Sequence, residues 1–360
     1  MKLNPFIAFV MPVWACLLHP ANVMAEEQVR VLVPPFESQG YLGENVANVL
    51  GFQLLGTLSD VDKNTSGVII FGTQPLKTFS EESAIERALN LTNLAHLVIW
   101  GKAYSFSDGV GIQANLSFTP FRLKDANRKH REIWTIHVPS GESIVELKVD
   151  LPRQSYSFPA ILLSPEAVSQ FEKIFEKLVI FGDPALTKQV GTMAGAFRAY
   201  QYLPDRAEIE SNGVRGWVRL PLGWASQSVV SSFSAAYIRL LRGDWLGAEM
   251  LLENIVQSEN LNAEIRIDIS LLLGLTREMQ GKSGVSQFLT AVNENEFDVS
   301  AIKYLIMGRV ADIMRASEKS DARDEAYGQL VQDLGEYAFL FSGDDEWFRD
   351  VGTAASLLKP

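Results

Sequence analysis

The chain of 360 residues is 47% hydrophobic and 21% charged, a globular balance with enough length for two or three domains. Its net charge of −11 repels polyphosphate, and no basic run with interleaved aromatics offsets it, which excludes a nucleic-acid partner. A single cysteine, Cys16, excludes a disulfide framework and cysteine-held zinc or iron–sulfur centres.

At the amino end, Lys2 precedes an apolar stretch from Pro5 to Leu18 and a close at Val23-Met24-Ala25, ahead of Glu26-Glu27. Residues 1–25 are expected to be a cleavable signal peptide, cut between Ala25 and Glu26, that sends the chain to the periplasm. The apolar stretch is shorter than the ~20 residues of a spanning helix and is interrupted by Pro5, Pro12 and Pro20. Cleavage there removes the only thiol. The alternative is that Val13-Trp14-Ala15-Cys16, which resembles a lipobox, makes Cys16 the lipidated first residue of an outer-membrane lipoprotein. Membrane attachment is expected in that case alone.

The remainder divides into an α+β amino-terminal domain at 26–123 (a mixed sheet with two helices), a β-containing middle segment at 124–228, and an all-α helical-repeat carboxyl-terminal domain at 229–360. In the first, Gln28 to Val33 is β-branched and stopped by Pro34-Pro35, as a strand entering a turn should be. Leu42, Val46, Val49, Leu50, Leu54 and Leu58 then recur at three- and four-residue steps, an apolar helix stripe. Gly67 to Phe71 reads as a second strand. Ser83-Ala84-Ile85-Glu86 predicts a capping box, with Ile85, Leu89 and Thr92 as the stripe of a second helix. Leu97 to Phe106 and Gly109 to Phe121 form a hairpin across Ser107-Asp108-Gly109, because Asp-Gly favours the tight turn.

The strand from Val29 to Val33 running into Pro34-Pro35-Phe36, the helix after it, and the stretch from Leu94 to Tyr104 ahead of the Asp-Gly hairpin resemble the amino-terminal domain of TolB and related bacterial envelope proteins. The resemblance implies one sheet covered by two helices, serving as a protein-interaction or assembly module rather than an active site, in a Gram-negative bacterium. Pro35 is an addition to that pattern, and the long insertions of some relatives are missing, so no particular partner carries over.

The middle segment opens with the polar stretch Lys124 to Arg131, after which Glu132 to Val138 and Ser143 to Val149 predict paired strands. Ser164-Pro165-Glu166 predicts a helix start, with Val168, Phe171, Ile174, Phe175 and Leu178 as its stripe. Gly213 to Pro221 predicts a short edge strand beside a turn, a reading preferred to the close of a small Src-homology-type barrel. Trp217, Trp224 and Trp245 cluster near the boundary with the helical region, where buried aromatics of an interdomain seam are expected over a ligand platform.

In the last region, Phe233, Tyr237, Leu240 and Leu241 make one stripe and Ala248, Leu251, Leu252 and Ile255 the next. Between them, Arg242-Gly243-Asp244-Trp245 with Ala248 resembles a tetratricopeptide-repeat turn: Gly243 reverses the chain, Trp245 packs between helices and Ala248 allows close approach. A second turn at Gln280-Gly281-Lys282, with Ser286 in the alanine's place, gives a period longer than the usual ~34 residues. Leu273-Gly274 and Gly308, after the stripe Val299, Ile302, Leu305 and Ile306, continue the motif. Two to three stacked helical pairs are expected.

Motifs that carry chemistry are scarce. His96, His130 and His137 have no metal-ligand spacing, and no nucleophile elbow, phosphate loop or dinucleotide motif occurs. No cofactor, no metal and no catalytic residue is expected. The densest carboxylates, Asp344-Asp345-Glu346 and Asp321, Asp324 and Glu325, suit helix starts and solvated faces. The sequence thus predicts a non-enzymatic periplasmic or outer-membrane-associated interaction or scaffold protein that binds other envelope proteins through its helical repeats and its α/β module. The alternatives are a cell-wall hydrolase using paired carboxylates and a small-ligand receptor.

Overall fold

A computed structural model describes residues 29–360 apart from 41, 62–66, 73, 92–94, 108, 120–131, 141–142, 154, 164–177, 194–195, 204, 220–227, 258–260, 318–319 and 342–344. The expected signal peptide with Cys16, Ala25 and Glu26 lies outside the described residues, as do the polar stretch with His130, the helix expected from Ser164, Thr92, Trp224 and Asp344.

Strands of the first two-thirds form a large mixed sheet, and an all-helical carboxyl region follows. The order β1 (Val29–Val33), α1 (Leu42–Val61), β2 (Gly67–Phe71), α2 (Glu81–Leu89), β3 (Leu97–Phe106), β4 (Gly109–Phe118) is the expected strand, helix, strand, helix, hairpin. β1 lies between β2 and β3, parallel to both, and its apolar residues are buried on both faces as a covered parallel strand requires. Phe52, Leu54, Leu55 and Leu58 of α1 bury on one face of the sheet, in the larger core. Ala84 and Ala88 of α2 pack in a separate small core with Leu32, Val98 and Trp100, so the two connecting helices cover opposite faces.

Helix α2 departs from the expectation. Its cap is Ser80, whose Oγ accepts from Ser83 N at 3.2 Å, so no capping box starts at Ser83, which is buried inside the first turn. Ile85 is half-buried and Leu89 exposed. The small side chains of Ala84 and Ala88 permit the close approach to the sheet, and they rather than the larger residues face it.

β5 (Glu132–Ser140) and β6 (Ser143–Asp150) make a separate two-stranded antiparallel sheet. β7 (Ser155–Ser157) and β8 (Ile161–Leu163) both pair with β4. Then come β9 (Val179–Phe181), β10 (Gln189–Thr192), β11 (Phe197–Leu203), β12 (Arg206–Ser211) and β13 (Val214–Arg219). Because β11 pairs antiparallel with β2, the order runs β10-β9-β13-β12-β11-β2-β1-β3-β4-β7, one sheet across the 123/124 boundary. The strand expected at an edge, β13, is interior: it pairs with β12 and, through Trp217 and Phe181, with β9. Gly216 makes this possible, since a Cβ there would lie 2.3 Å from the Phe181 carbonyl oxygen. The turn before it holds Asn212 at φ 49° and Gly213 at φ 77°, the paired left-handed residues of a two-residue hairpin.

The helical region consists of α3 (Val229–Leu241), α4 (Trp245–Val256), α5 (Ala263–Met279), α6 (Val285–Glu294), α7 (Val299–Arg315), α8 (Asp321–Tyr337) with a 3₁₀ turn at Ala338–Leu340, and α9 (Glu346–Leu358). From α3 to α8 each helix packs on the next, and α5 also touches α7. α3 is buried nearly all round because α1 lies against it too. α9 turns back over β5 and β6.

Candidate functional site

The two glycine turns are built alike. Gly243 (φ 75°) donates to Leu240 O at 3.0 Å while Asp244 N donates to Arg239 O at 2.9 Å. Gly281 (φ 76°) donates to Glu278 O at 2.9 Å while Lys282 N donates to Arg277 O at 2.9 Å. Both are Schellman motifs, which satisfy the last carbonyls of α3 and α5 and need a left-handed residue. Half-buried Trp245 lies against Gly243, and Ala248 is fully buried. Ser286 is exposed, so it does not take the alanine's place. Counted from the helix starts, that place belongs to Phe288, and a Cβ on Gly274 or Gly308 would come within 2.2 and 2.9 Å of its ring. Those two glycines make room for the larger side chain.

The first helix of each pair, α3, α5 and α7, faces a stretch of the chain itself. Phe158 packs on Phe233 with centroids 5.6 Å apart, and the hydroxyls of Tyr156 and Tyr237 are hydrogen-bonded. Arg153 Nε lies 2.7 Å from Asp268 Oδ2, and Tyr304 Oη donates to Asp150 O at 2.9 Å. Trp134 sits 6.2 Å from Tyr304 and 5.9 Å from Phe288. Residues 132–158 therefore run across all three first helices. Burial pushes the Asp268 carboxyl up to about 7 against the pull of Arg153, with Asp298 and Glu264 pushing further. Burial likewise holds the Tyr156, Tyr237 and Tyr304 phenols above their usual range, hence neutral.

A second feature is a cleft of ≈ 410 Å³ beyond the carboxyl ends of β1 and β2. Because these adjacent strands send their chains to opposite faces of the sheet, their exit loops part there and leave a crevice. One loop gives Pro35, Phe36, Glu37 and Ser38, the first turn of α1 gives Glu44, and the other loop gives Leu76, Lys77 and Phe79. The first loop is stitched down: Glu37 N donates to Gly101 O at 2.9 Å, Ala103 N donates to Glu37 O at 2.9 Å, and Ser38 Oγ accepts from Gly43 N at 2.6 Å. Lys102 Nζ lies 3.1 Å from Glu37 Oε2 and 4.3 Å from the centre of the Phe79 ring. Among the described residues the walls are mixed in charge, with Pro35, Phe36, Leu76 and Phe79 as their apolar part, and hold no opposed pair of buried carboxylates.

His96 is buried, with Nδ1 accepting from Arg30 N at 2.6 Å. Burial and then the Arg30 charge lower it to about 3, so it is a neutral structural group. His137 lies half-buried on β5, 3.5 Å from Glu146. Asp345 caps α9 by accepting from Phe348 N at 2.9 Å, and Glu346 is exposed in the next position. Asp321, Asp324 and Glu325 lie exposed at the start of α8. Trp217 stands on β13 and Trp245 opens α4, on separate elements. Among the described residues no three His, Cys, Asp or Glu side chains gather as a metal site, and no helix is long and apolar enough to cross a membrane.

The sequence reading passed over Arg239, whose guanidinium is buried, donates to Leu58 O at the end of α1 at 3.1 Å and pairs with Asp244. Its only signal was an arginine inside the apolar stripe of α3. In comparisons with protein-family models, with curated proteins and with solved structures, nothing matches the chain.

Proposed function

We propose that the protein is exported and acts without catalysis as an interaction or scaffold protein of the bacterial envelope, periplasmic or outer-membrane-associated. A TolB-like α/β module and tetratricopeptide-like helical pairs would be its contact surfaces. The observation that carries the reading is the run α3–α8, each helix packed on the next, with the α3–α4 and α5–α6 turns of the same Schellman form. The first helices start at Val229, Ala263 and Val299, near the ~34-residue spacing of tetratricopeptide repeats. Such stacks act through extended surfaces rather than enclosed sites. Since residues 132–158 cover the first helices, the surface left for partners is the outer one, where Leu246, Met250 and Phe339 stand exposed.

The test is photo-crosslinking in intact cells, with a crosslinking side chain at Met250 or at Phe339. Defined protein adducts are the expected outcome; absence of adducts at both positions together with turnover of cell-wall glycan by the purified protein would overturn the reading. Mass spectrometry of the mature amino terminus distinguishes a start at Glu26 from a lipidated Cys16. The ≈ 410 Å³ cleft favours a second reading, a small-ligand receptor. Under it, a metabolite panel should shift the melting temperature of the wild type and not of Lys77→Ala.

A further inference from the structure

Phe297, in the turn between α6 and α7, and Phe339, in the 3₁₀ turn after α8, meet edge to face at 6.4 Å while remaining 60% and 69% exposed. Two aromatic rings held together in water gain little of the burial that usually justifies them. Gly335 and Val331 precede Phe339 on α8 by one and two helical turns. Val331 is 48% exposed, and nothing stands within 4 Å of where a Gly335 Cβ would be. A helix-interior glycine costs ~1 kcal/mol relative to alanine. Among the described residues no packing explains this one, and it leaves a bare strip of backbone between two apolar side chains.

The rim of this patch is acidic. Glu294 ends α6, the turn carries Glu296 and Asp298, and the end of α8 that bears Gly335 carries Asp333 and Glu336. Arg266 stands 3.5 Å from Glu294 and Arg309 3.0 Å from Asp333, and Asp298 caps α7. Glu296 and Glu336 are exposed, and the Tyr337 phenol is raised by burial first and then by Glu336, Asp333 and Glu296. The exposed carboxylates Glu296 and Glu336 thus stand next to Phe297 and Gly335, while the neighbouring Lys303 ammonium is turned onto the Phe341 and Trp347 rings at 5.9 and 4.9 Å.

We infer that the Phe297–Phe339 patch with Gly335 is a docking surface for a cationic amphipathic segment of another protein, with an apolar anchor seated on the two rings and lysines or arginines facing Glu296 and Glu336. The inference rests on the interaction reading above and names the kind of partner. A second copy of the chain is the poorer occupant, because it would set one acidic rim against another.

The experiment uses the full chain and a fluorescent leucine–lysine helical peptide, with its glutamate counterpart as control. Wild type binds the lysine peptide, and binding weakens as salt rises. Phe339→Ser and Gly335→Leu each weaken it by more than about tenfold, as loss of a hot-spot contact should, with the circular dichroism spectrum unchanged and melting unchanged for Phe339→Ser and raised for Gly335→Leu, which removes the helix cost of glycine. Glu296→Gln with Glu336→Gln weakens binding and flattens the salt dependence, whereas Glu81→Gln with Glu86→Gln on α2 leaves both alone. Equal weakening by the two charge pairs would mean attraction to net charge only and overturns the inference, as would equal binding of the glutamate peptide. Concentration-dependent dimerisation abolished by Phe339→Ser would replace the partner with a second copy. In cells, adducts at Met250 with none at Phe339 sink this surface and leave the interaction reading standing; none at either position sinks this surface, and with turnover of cell-wall glycan by the purified protein sinks the interaction reading as well.

Discussion

His96 and Asp268 are buried titratable groups with opposite displacements, so they tilt the pH dependence of stability in opposite directions. His96 titrates near 6.5 in an unfolded chain and is lowered to about 3 by burial in the fold. Its contribution is fully present above the first value and is lost as pH falls toward the second. Asp268 titrates near 3.9 when unfolded and is raised to about 7. Its contribution is fully present below the lower value and is lost as pH rises through the higher. Between about 4 and 6.5 the two slopes oppose each other. His96→Asn, which keeps an acceptor for Arg30 N, should leave a stability that falls with rising pH across that window. Asp268→Asn, which keeps an acceptor for Arg153, should leave one that falls toward acid. Urea midpoints measured from pH 4 to 7.5 check both; parallel profiles for the two variants would show that these groups do not set the slope. Neither role was legible in the sequence. A histidine beside a strand was readable as a core residue, but the burial of Asp268 opposite Arg153 joins groups from distant parts of the chain.

At the level of elements, a glycine can serve by its backbone or by its missing side chain. Gly281 sits at φ 76° with nothing within 4 Å of its would-be Cβ. Gly281→Ala should therefore cost only the left-handed strain, about 1 to 2 kcal/mol. Gly274 has ordinary helical geometry, but a Cβ there would meet the Phe288 ring at 2.2 Å. Gly274→Ala should cost about 1 to 3 kcal/mol through overpacking, and Phe288→Leu in the same chain should recover part of it. Additive losses in that double-mutant cycle would disprove the steric coupling. The sequence made the turn glycines readable, since Arg242-Gly243-Asp244 and Gln280-Gly281-Lys282 each punctuate two apolar stripes. It assigned the alanine's place to Ser286 because spacing was counted from the glycine. The second turn is longer, so the register slips to Phe288. Ser83 with Glu86 fits the capping-box spacing and so masks Ser80, the actual cap of α2, whereas Asn212-Gly213 is a hairpin signal as plain as Asp108-Gly109.

For the molecule as a whole, the sheet and the helices share one interior, joined by α1 against α3 and by residues 132–158 across the first helices. Trp134, Ile136, Val138, Leu147 and Val149 bury the inward face of the β5–β6 hairpin, and Tyr156 and Phe158 continue the contact along α3. Patterning alone showed where the strands and helices begin, because periodicity is local. It could not show that β11 would join β2, or that a hairpin from the middle of the chain would lie on the helices, because those pairings depend on surfaces far apart in sequence. The consequence is thermodynamic: with that much apolar surface shared, the sheet and helical regions should unfold in a single transition. Trp134→Ala, which leaves Phe288 and Tyr304 without their aromatic neighbour, should lower stability by about 3 to 5 kcal/mol. Far-ultraviolet circular dichroism, which reports mainly the helices, and hydrogen exchange in β1 and β2 should then shift together. The fragment 229–360 alone should bind a hydrophobic dye and melt broadly, because the faces of α3, α5 and α7 that residues 132–158 cover would be bare. Sharp cooperative melting of that fragment without dye binding would mean that the helices complete their own core and that the covering segment is incidental to it.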